Sequence, residues 1–128
     1  MFSSSAVQAA PSPRLRSLAF YDLPVTPPGV LRDTFSASLD NWMYMRTTWR
    51  HAAGEHVASY TIYSPDGQIY QVLDVPFVGQ SSHETVEVWG ELPVAGTWMT
   101  RMPGVWRVDV TLDGNPRVLT REQFTVTW

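Results

Sequence analysis

The sequence contains no cysteine, and that one absence removes disulfides, thiolate metal sites and cysteine nucleophiles together. Hydrophobic packing alone must hold the fold. Lysine is missing as well. The nine cations are all arginine, at positions 14, 16, 32, 46, 50, 101, 107, 117 and 121, too scattered to form the basic stripe that follows a nucleic-acid backbone. No nucleic-acid partner is expected. Charged residues make up only 16% of the chain and the net charge is −3, well under the usual quarter of charged residues. No apolar run reaches the roughly 18 residues of a membrane-spanning helix, so no membrane insertion is expected. Catalytic signatures are also missing: there is no Gly-x-Ser-x-Gly elbow, no phosphate loop and no His-Glu-x-x-His. The acids stand singly on strands or in turns, and Asp66 and Asp113 are explained by the turns they sit in. Neither an enzyme nor a cofactor is expected.

What the chain does contain is apolar and aromatic bulk, 44% and 12% of its 128 residues, enough for one packed core and too little length for two ordinary domains. A single domain is expected over 14–128. Residues 1–13 form either a disordered Ala/Ser/Pro tail or the remnant of a signal peptide. Small residues Val7 and Ala9 stand where a signal peptidase would cut, but a charged leader region and an apolar stretch are missing. A periplasmic or secreted location follows from the second reading, while the absence of cysteine leaves the cytoplasm open.

Ten prolines and eight glycines cut the rest into short runs rich in Val, Thr, Tyr, Phe and Trp, the composition of strands. Arg14 to Leu23 reads as the first, with Leu15, Ser17, Ala19 and Tyr21 on one side and Leu18 and Phe20 on the other. Val30 to Leu39 reads as a second. Trp42 to Trp49 alternates Trp42/Tyr44/Arg46/Thr48 with Met43/Met45/Thr47/Trp49, yet Leu39, Trp42, Met43, Arg46 and Trp49 also fit a helical stripe. Segment 39–53 is therefore a strand or a short helix.

Two hairpins are clearer. Val57 to Tyr63 and Ile69 to Val75 flank a Pro65-Asp66-Gly67 turn, and a three-residue loop would set Tyr63 against Ile69, Ile62 against Tyr70 and Tyr60 against Val72. Thr85 to Glu91 turns Val86, Val88 and Gly90 inward and leaves Trp89 outside between two acids. The segment from Leu92 to Met102, with Trp98 on it, crosses between sheets. In the closing hairpin, Val105 to Trp128, residues Trp106, Val108, Val110 and Leu112 face the core. A three-residue loop at Asp113-Gly114-Asn115 would pair Val110 with Val118, and Arg121 and Glu122 mark a bulge or a free edge.

The run Pro103-Gly104-Val105-Trp106-Arg107-Val108-Asp109-Val110, then Asp113-Gly114, then Phe124-Thr125-Val126, resembles the ending of immunoglobulin-like and fibronectin type III-like domains of exported bacterial proteins. Tyr60-Thr61-Ile62-Tyr63-Ser64-Pro65-Asp66-Gly67 is similar to their middle hairpin. The resemblance covers about half the chain and lacks the core disulfide of antibody domains. It implies an all-β, antiparallel sandwich of about seven to eight strands and an accessory, adaptor or binding module; fold alone does not fix the role.

Among candidate sites, the six tryptophans come first, because a planar exposed ring stacks on sugars or anchors a protein partner. Trp106 and Trp128 suit core or sheet-end positions, and one of Trp42 and Trp49 should be buried. Trp89, Trp98, Tyr63 and Trp42 remain as candidate ligand-binding residues. Of the three histidines, His51 and His56 flank a turn and His83 precedes Glu84, so a zinc or copper site is conceivable chemistry, although the spacing matches no established motif. No metal is assigned. The leading expectation is a non-catalytic interaction or adaptor module that binds a protein partner through a sheet face or end loops. The alternatives are a carbohydrate-binding module using exposed aromatics and a small periplasmic metal-binding protein. A homodimer through an aromatic outer face is a further option.

Overall fold

The computed structural model describes residues 13–22 and 31–128. The expected signal-peptide remnant apart from Pro13, the end of the expected first strand, Leu23, and the start of the expected second, Val30, lie outside the described residues. Eight strands follow one another: β1 (Arg14–Tyr21), β2 (Thr34–Ser36), β3 (Trp42–Arg50), β4 (Gly54–Tyr63), β5 (Ile69–Gly79), β6 (Thr85–Pro93), β7 (Gly104–Leu112) and β8 (Asn115–Thr127), with a 3-10 helix at Trp98–Arg101 between β6 and β7. They form two packed sheets, a small one in the order β1-β3-β6 and a large one in the order β2-β8-β7-β4-β5. All neighbours are antiparallel except β2 and β8, which run parallel through Thr34–Thr125, Phe35–Val126 and Ser36–Thr127.

Segment 39–53 is a strand where it is regular. Pairing on both sides, to β1 and β6, outweighs any helical preference, and the alternation then buries Met43, Met45, Thr47 and Trp49 completely. The second strand is much shorter than Val30 to Leu39. Ser36 N–H donates to the Asp40 carboxylate at 2.6 Å and Asp40 N–H to the Ser36 carbonyl at 2.9 Å, so the chain turns there. Arg32 holds the same carboxylate at 2.7 Å.

Three bulges change faces that simple alternation assigns. In β1 the register shifts between Leu15 and Ser17, which puts Leu15 opposite Trp49 on the inner side with Leu18 and Phe20. In the β4–β5 hairpin Tyr63 does pair with Ile69, but Ile62 pairs with Gln71 and Tyr60 with Leu73. The extra residue is Tyr70, whose ring meets Trp106 edge-on at 5.0 Å. From there the inward set is Leu73, Val75 and Phe77, and Val72 is exposed instead of inward. In the closing hairpin Leu112 pairs with Asn115 and Val110 with Thr120, not Val118. The loop has two residues, Asp113 and Gly114, both at positive φ (54° and 74°), the backbone of a type I′ turn. The irregularity lies between Val110 and Leu112, nearer the turn than Arg121. Because β2 covers only Thr125–Thr127, the earlier part of β8 has no strand on its outer side among the described residues, an edge position as Arg121 and Glu122 suggested.

The core joins the sheets through Phe20, Met45 and Trp49 on one side and Tyr60, Trp106 and Phe124 on the other. It also holds one polar network. Thr47 Oγ1 accepts from Trp49 Nε1 at 2.8 Å and bonds the Tyr60 hydroxyl at 2.8 Å, and Tyr60 reaches the Val88 carbonyl at 3.2 Å. Burial pushes the Tyr60 phenol up to about 12, although the Thr47 bond acts against it. Gly90 fits under this ring: a Cβ there would lie 3.1 Å from it.

Candidate functional site

β3 and β6 carry the best-formed aromatic surface, on the outer face of the small sheet. Alternation turns Trp42, Tyr44 and Arg46 outward from β3, and the register sets Trp42 opposite Pro93, Tyr44 opposite Glu91 and Arg46 opposite Trp89. Trp42 is 43% exposed and stacks on Tyr44, with ring centroids 6.5 Å apart and planes 25° apart. Trp89 is half-buried. It leans on Tyr21 of β1 at 5.7 Å, and Arg46 lies over the Tyr21 ring at 5.0 Å while bonding the Tyr21 hydroxyl at 2.8 Å. Arg46 also pairs with Glu87 at 3.2 Å. Beside this face, where the free edges of β5 and β6 approach, is a groove of about 530 Å³ lined in part by Tyr44, Trp89, Glu91, Val72 and Asp74.

The other two sequence candidates lie elsewhere. Trp98, 66% exposed, opens the 3-10 helix, where Thr97 caps the Met99 N–H at 3.2 Å; the Arg101 guanidinium lies 4.9 Å from the ring centre. Tyr63 is on the large sheet, and Arg107 covers its face at 3.9 Å. Of the remaining tryptophans, Trp49 and Trp106 are fully buried and Trp128 is exposed beyond the end of β8. Sequence reasoning brought Trp42 and Trp89 forward and left out Tyr21, Tyr44 and Arg46. The alternation of β3 held the signal for Tyr44 and Arg46, which share the face of Trp42; nothing in β1 alone places Tyr21 against Trp89.

The histidines stand at the other end of the sandwich. His56 Nδ1 meets the Asp113 carboxylate at 2.7 Å and Nε2 the Ala53 carbonyl at 3.0 Å, so both ring nitrogens face acceptors. Burial lowers the His56 pKa, but the Asp113 and Ala53 bonds outweigh it and raise it above the ordinary value; burial raises and the His56 and Val57 N–H bonds lower that of Asp113, with a net fall. His51 Nδ1 bonds the Ser82 carbonyl at 3.1 Å, and His83 is exposed in a turn. Among the described residues, no group of three or more His, Asp or Glu side chains gathers that could hold a metal ion. No helix among them is long and apolar enough to cross a membrane.

No family model matches the sequence, and neither does any curated protein. Solved structures do match the fold. One is a Pseudomonas fluorescens alkylpurine DNA glycosylase bound to DNA containing an abasic-site analogue, with TM-score 0.60 and 16% identity over 95% of this chain and 32% of that one. A calcium-binding mutant of Bacteroides uniformis β-glucuronidase 2 gives 0.56 and 18% over 93% of this chain and 15% of that one. The chain thus spans about a third and about a seventh of these enzymes' lengths. An immunoglobulin-like protein of Pseudomonas aeruginosa gives 0.54 and 17%, over 93% of this chain and 99% of that one. At such identities the likeness concerns the fold, and the fold is an immunoglobulin-like β-sandwich.

Proposed function

We propose that the domain is a non-catalytic protein-interaction module of an exported bacterial protein, and that it binds its partner through the outer face of β1-β3-β6. The observation that carries this reading is the company Trp42, Tyr44, Trp89 and Arg46 keep on one sheet face, since Trp, Tyr and Arg are the residue types that dominate protein–protein hot spots. Carbohydrate binding is the weaker reading. A sugar needs an open aromatic face, and arginines already lie over one face of Trp98 and of Tyr63, while Trp89 is wedged against Tyr21.

The test starts from a photo-crosslinking residue at Tyr44, with a control at Val118, in the bacterium of origin. The protein trapped at Tyr44 alone is then purified and titrated. Trp42→Ala should weaken its binding about tenfold or more, the size of a hot-spot truncation. Equal trapping at both positions, or an affinity unmoved by Trp42→Ala, rejects the assignment. Saturable quenching of tryptophan fluorescence by a glycan, lost in the same variant, would install the carbohydrate reading in its place. Fractionation of the same cells tests export, which requires the protein outside the cytoplasm.

A further inference from the structure

At the end of the sandwich away from Trp98, the start of β1, the bend after β3 and the first part of β8 border an open pocket of about 560 Å³ lined by Pro13, Arg14, Leu15, His51, Arg117 and Leu119. We propose that this pocket binds a phosphate group. The inference is independent of the aromatic face described above.

Three observations point to an anion. First, the lining holds two arginines and a histidine and no acid, in a chain whose net charge is −3. The guanidiniums of Arg14 and Arg117 have no hydrogen-bond or ion-pair partner among the described residues. The nearby acids are committed elsewhere: Asp113 to His56 and Val57, Glu84 to the backbone of Gln80 and Ser81. Second, the register places Arg14 directly opposite Arg50, a like-charge cross-strand pair that costs stability and that a bound anion would relieve. Third, His51 has a left-handed backbone, φ 57°, uncommon outside glycine. Its Nδ1–H donates to Ser82 O, which orients the ring of this pocket-lining residue.

Arg14 and Arg117 come from separate strands, and each guanidinium fork can take a pair of anion oxygens; a tetrahedral oxyanion offers oxygens to both forks, whereas a carboxylate has only two. Pro13, Leu15 and Leu119 supply apolar wall, and the volume exceeds what the ion itself needs. The ligand is therefore inorganic phosphate or the phosphate of a small monoester.

The experiment is an amide-shift titration of the isotope-labelled full chain with sodium phosphate at constant ionic strength, with sodium chloride as control. Shifts at Arg14, His51 and Arg117 should saturate with phosphate alone, while Tyr44 and Trp89 stay still. Arg14→Gln and Arg117→Gln should each weaken binding about tenfold, as expected when a charge-assisted hydrogen bond is lost. Arg14→Gln should also raise the melting temperature in phosphate-free buffer, by removing the repulsion with Arg50, and abolish the further rise that phosphate gives the parent protein. Phenyl phosphate binding more tightly than phosphate assigns the site to a monoester; equal affinity assigns it to the ion. A response that does not saturate beyond chloride overturns the proposal, as does saturable binding that both glutamine variants retain.

Discussion

The Thr47 and Tyr60 hydroxyls meet at 2.8 Å in the centre of the sandwich, one from each sheet, a polar tie between the sheets of a chain that has no disulfide to join them. The two ends of this tie are unequal. Tyr60→Phe leaves Thr47 still accepting from Trp49, and should cost about 1 kcal/mol, the net worth of one hydrogen bond. Thr47→Val leaves the buried Trp49 N–H without an acceptor, and should cost about 1–3 kcal/mol. Urea midpoints of the two variants check the order; a smaller loss for Thr47→Val would mean that Trp49 finds another partner.

Stability should fall on the alkaline side. His56 has its pKa raised in the folded state, from an ordinary 6.5, so its contribution is complete below about 6.5 and disappears as pH rises through the folded value. Asp113, with its pKa lowered from 3.8, contributes above that value and ceases to as pH falls through its folded value. The pair is therefore strongest in the window between. Thermal melts from pH 5 to 9 should show the decline in the parent protein, and His56→Gln should flatten it.

Gly79 stands against the backbone at the start of β4. A Cβ on it would come 2.0 Å from the Ala52 carbonyl oxygen, and backbone cannot give way as a flexible side chain can. Gly79→Ala should cost about 3 kcal/mol or more, whereas Gly90→Ala, which meets only side-chain atoms of Tyr60 and Met45, should cost less. Melting temperatures of the two variants decide this.

Asp109 is 3% exposed on the outer face of the large sheet, held by Arg121 at 2.8 Å and close to Arg107 at 3.2 Å. Asp109→Ala should destabilise more than Arg121→Ala, because Arg121 is largely in solvent, where an ion pair is worth little, whereas the buried carboxylate is the hub of both contacts. Denaturation of each single variant, at low and high salt, measures the difference.

Alternation along single strands gave the faces of β3 in its strand reading, the inward set of β6 and the Trp106 strand, because the inserted residues sit in the partner strands β1 and β8 and leave these runs themselves unbroken; the choice of strand over helix for 39–53 came from pairing on both sides. It failed at Leu15 and Tyr70, where one inserted residue resets the face, and at Val118, where three extra residues of β8 do. The candidate site followed the same division. Trp42 and Trp89 could be named from their own strands; that they share a face, with Arg46 between Trp89 and Tyr21, depends on register across three strands. Trp98 and Tyr63 were equally aromatic in sequence and belong to other surfaces.

Among the described residues, four of the nine arginines lie over aromatic rings: Arg32 on Phe35, Arg46 on Tyr21, Arg101 on Trp98 and Arg107 on Tyr63. A guanidinium is planar and weakly hydrated, so it can lie flat against a ring while its edges stay in water. With a net charge of only −3, self-repulsion does little to keep copies of this chain apart. Its colloidal behaviour then rests on how well arginine wets its aromatic surface, a task for which lysine, with a compact and tightly hydrated charge, is a poor replacement.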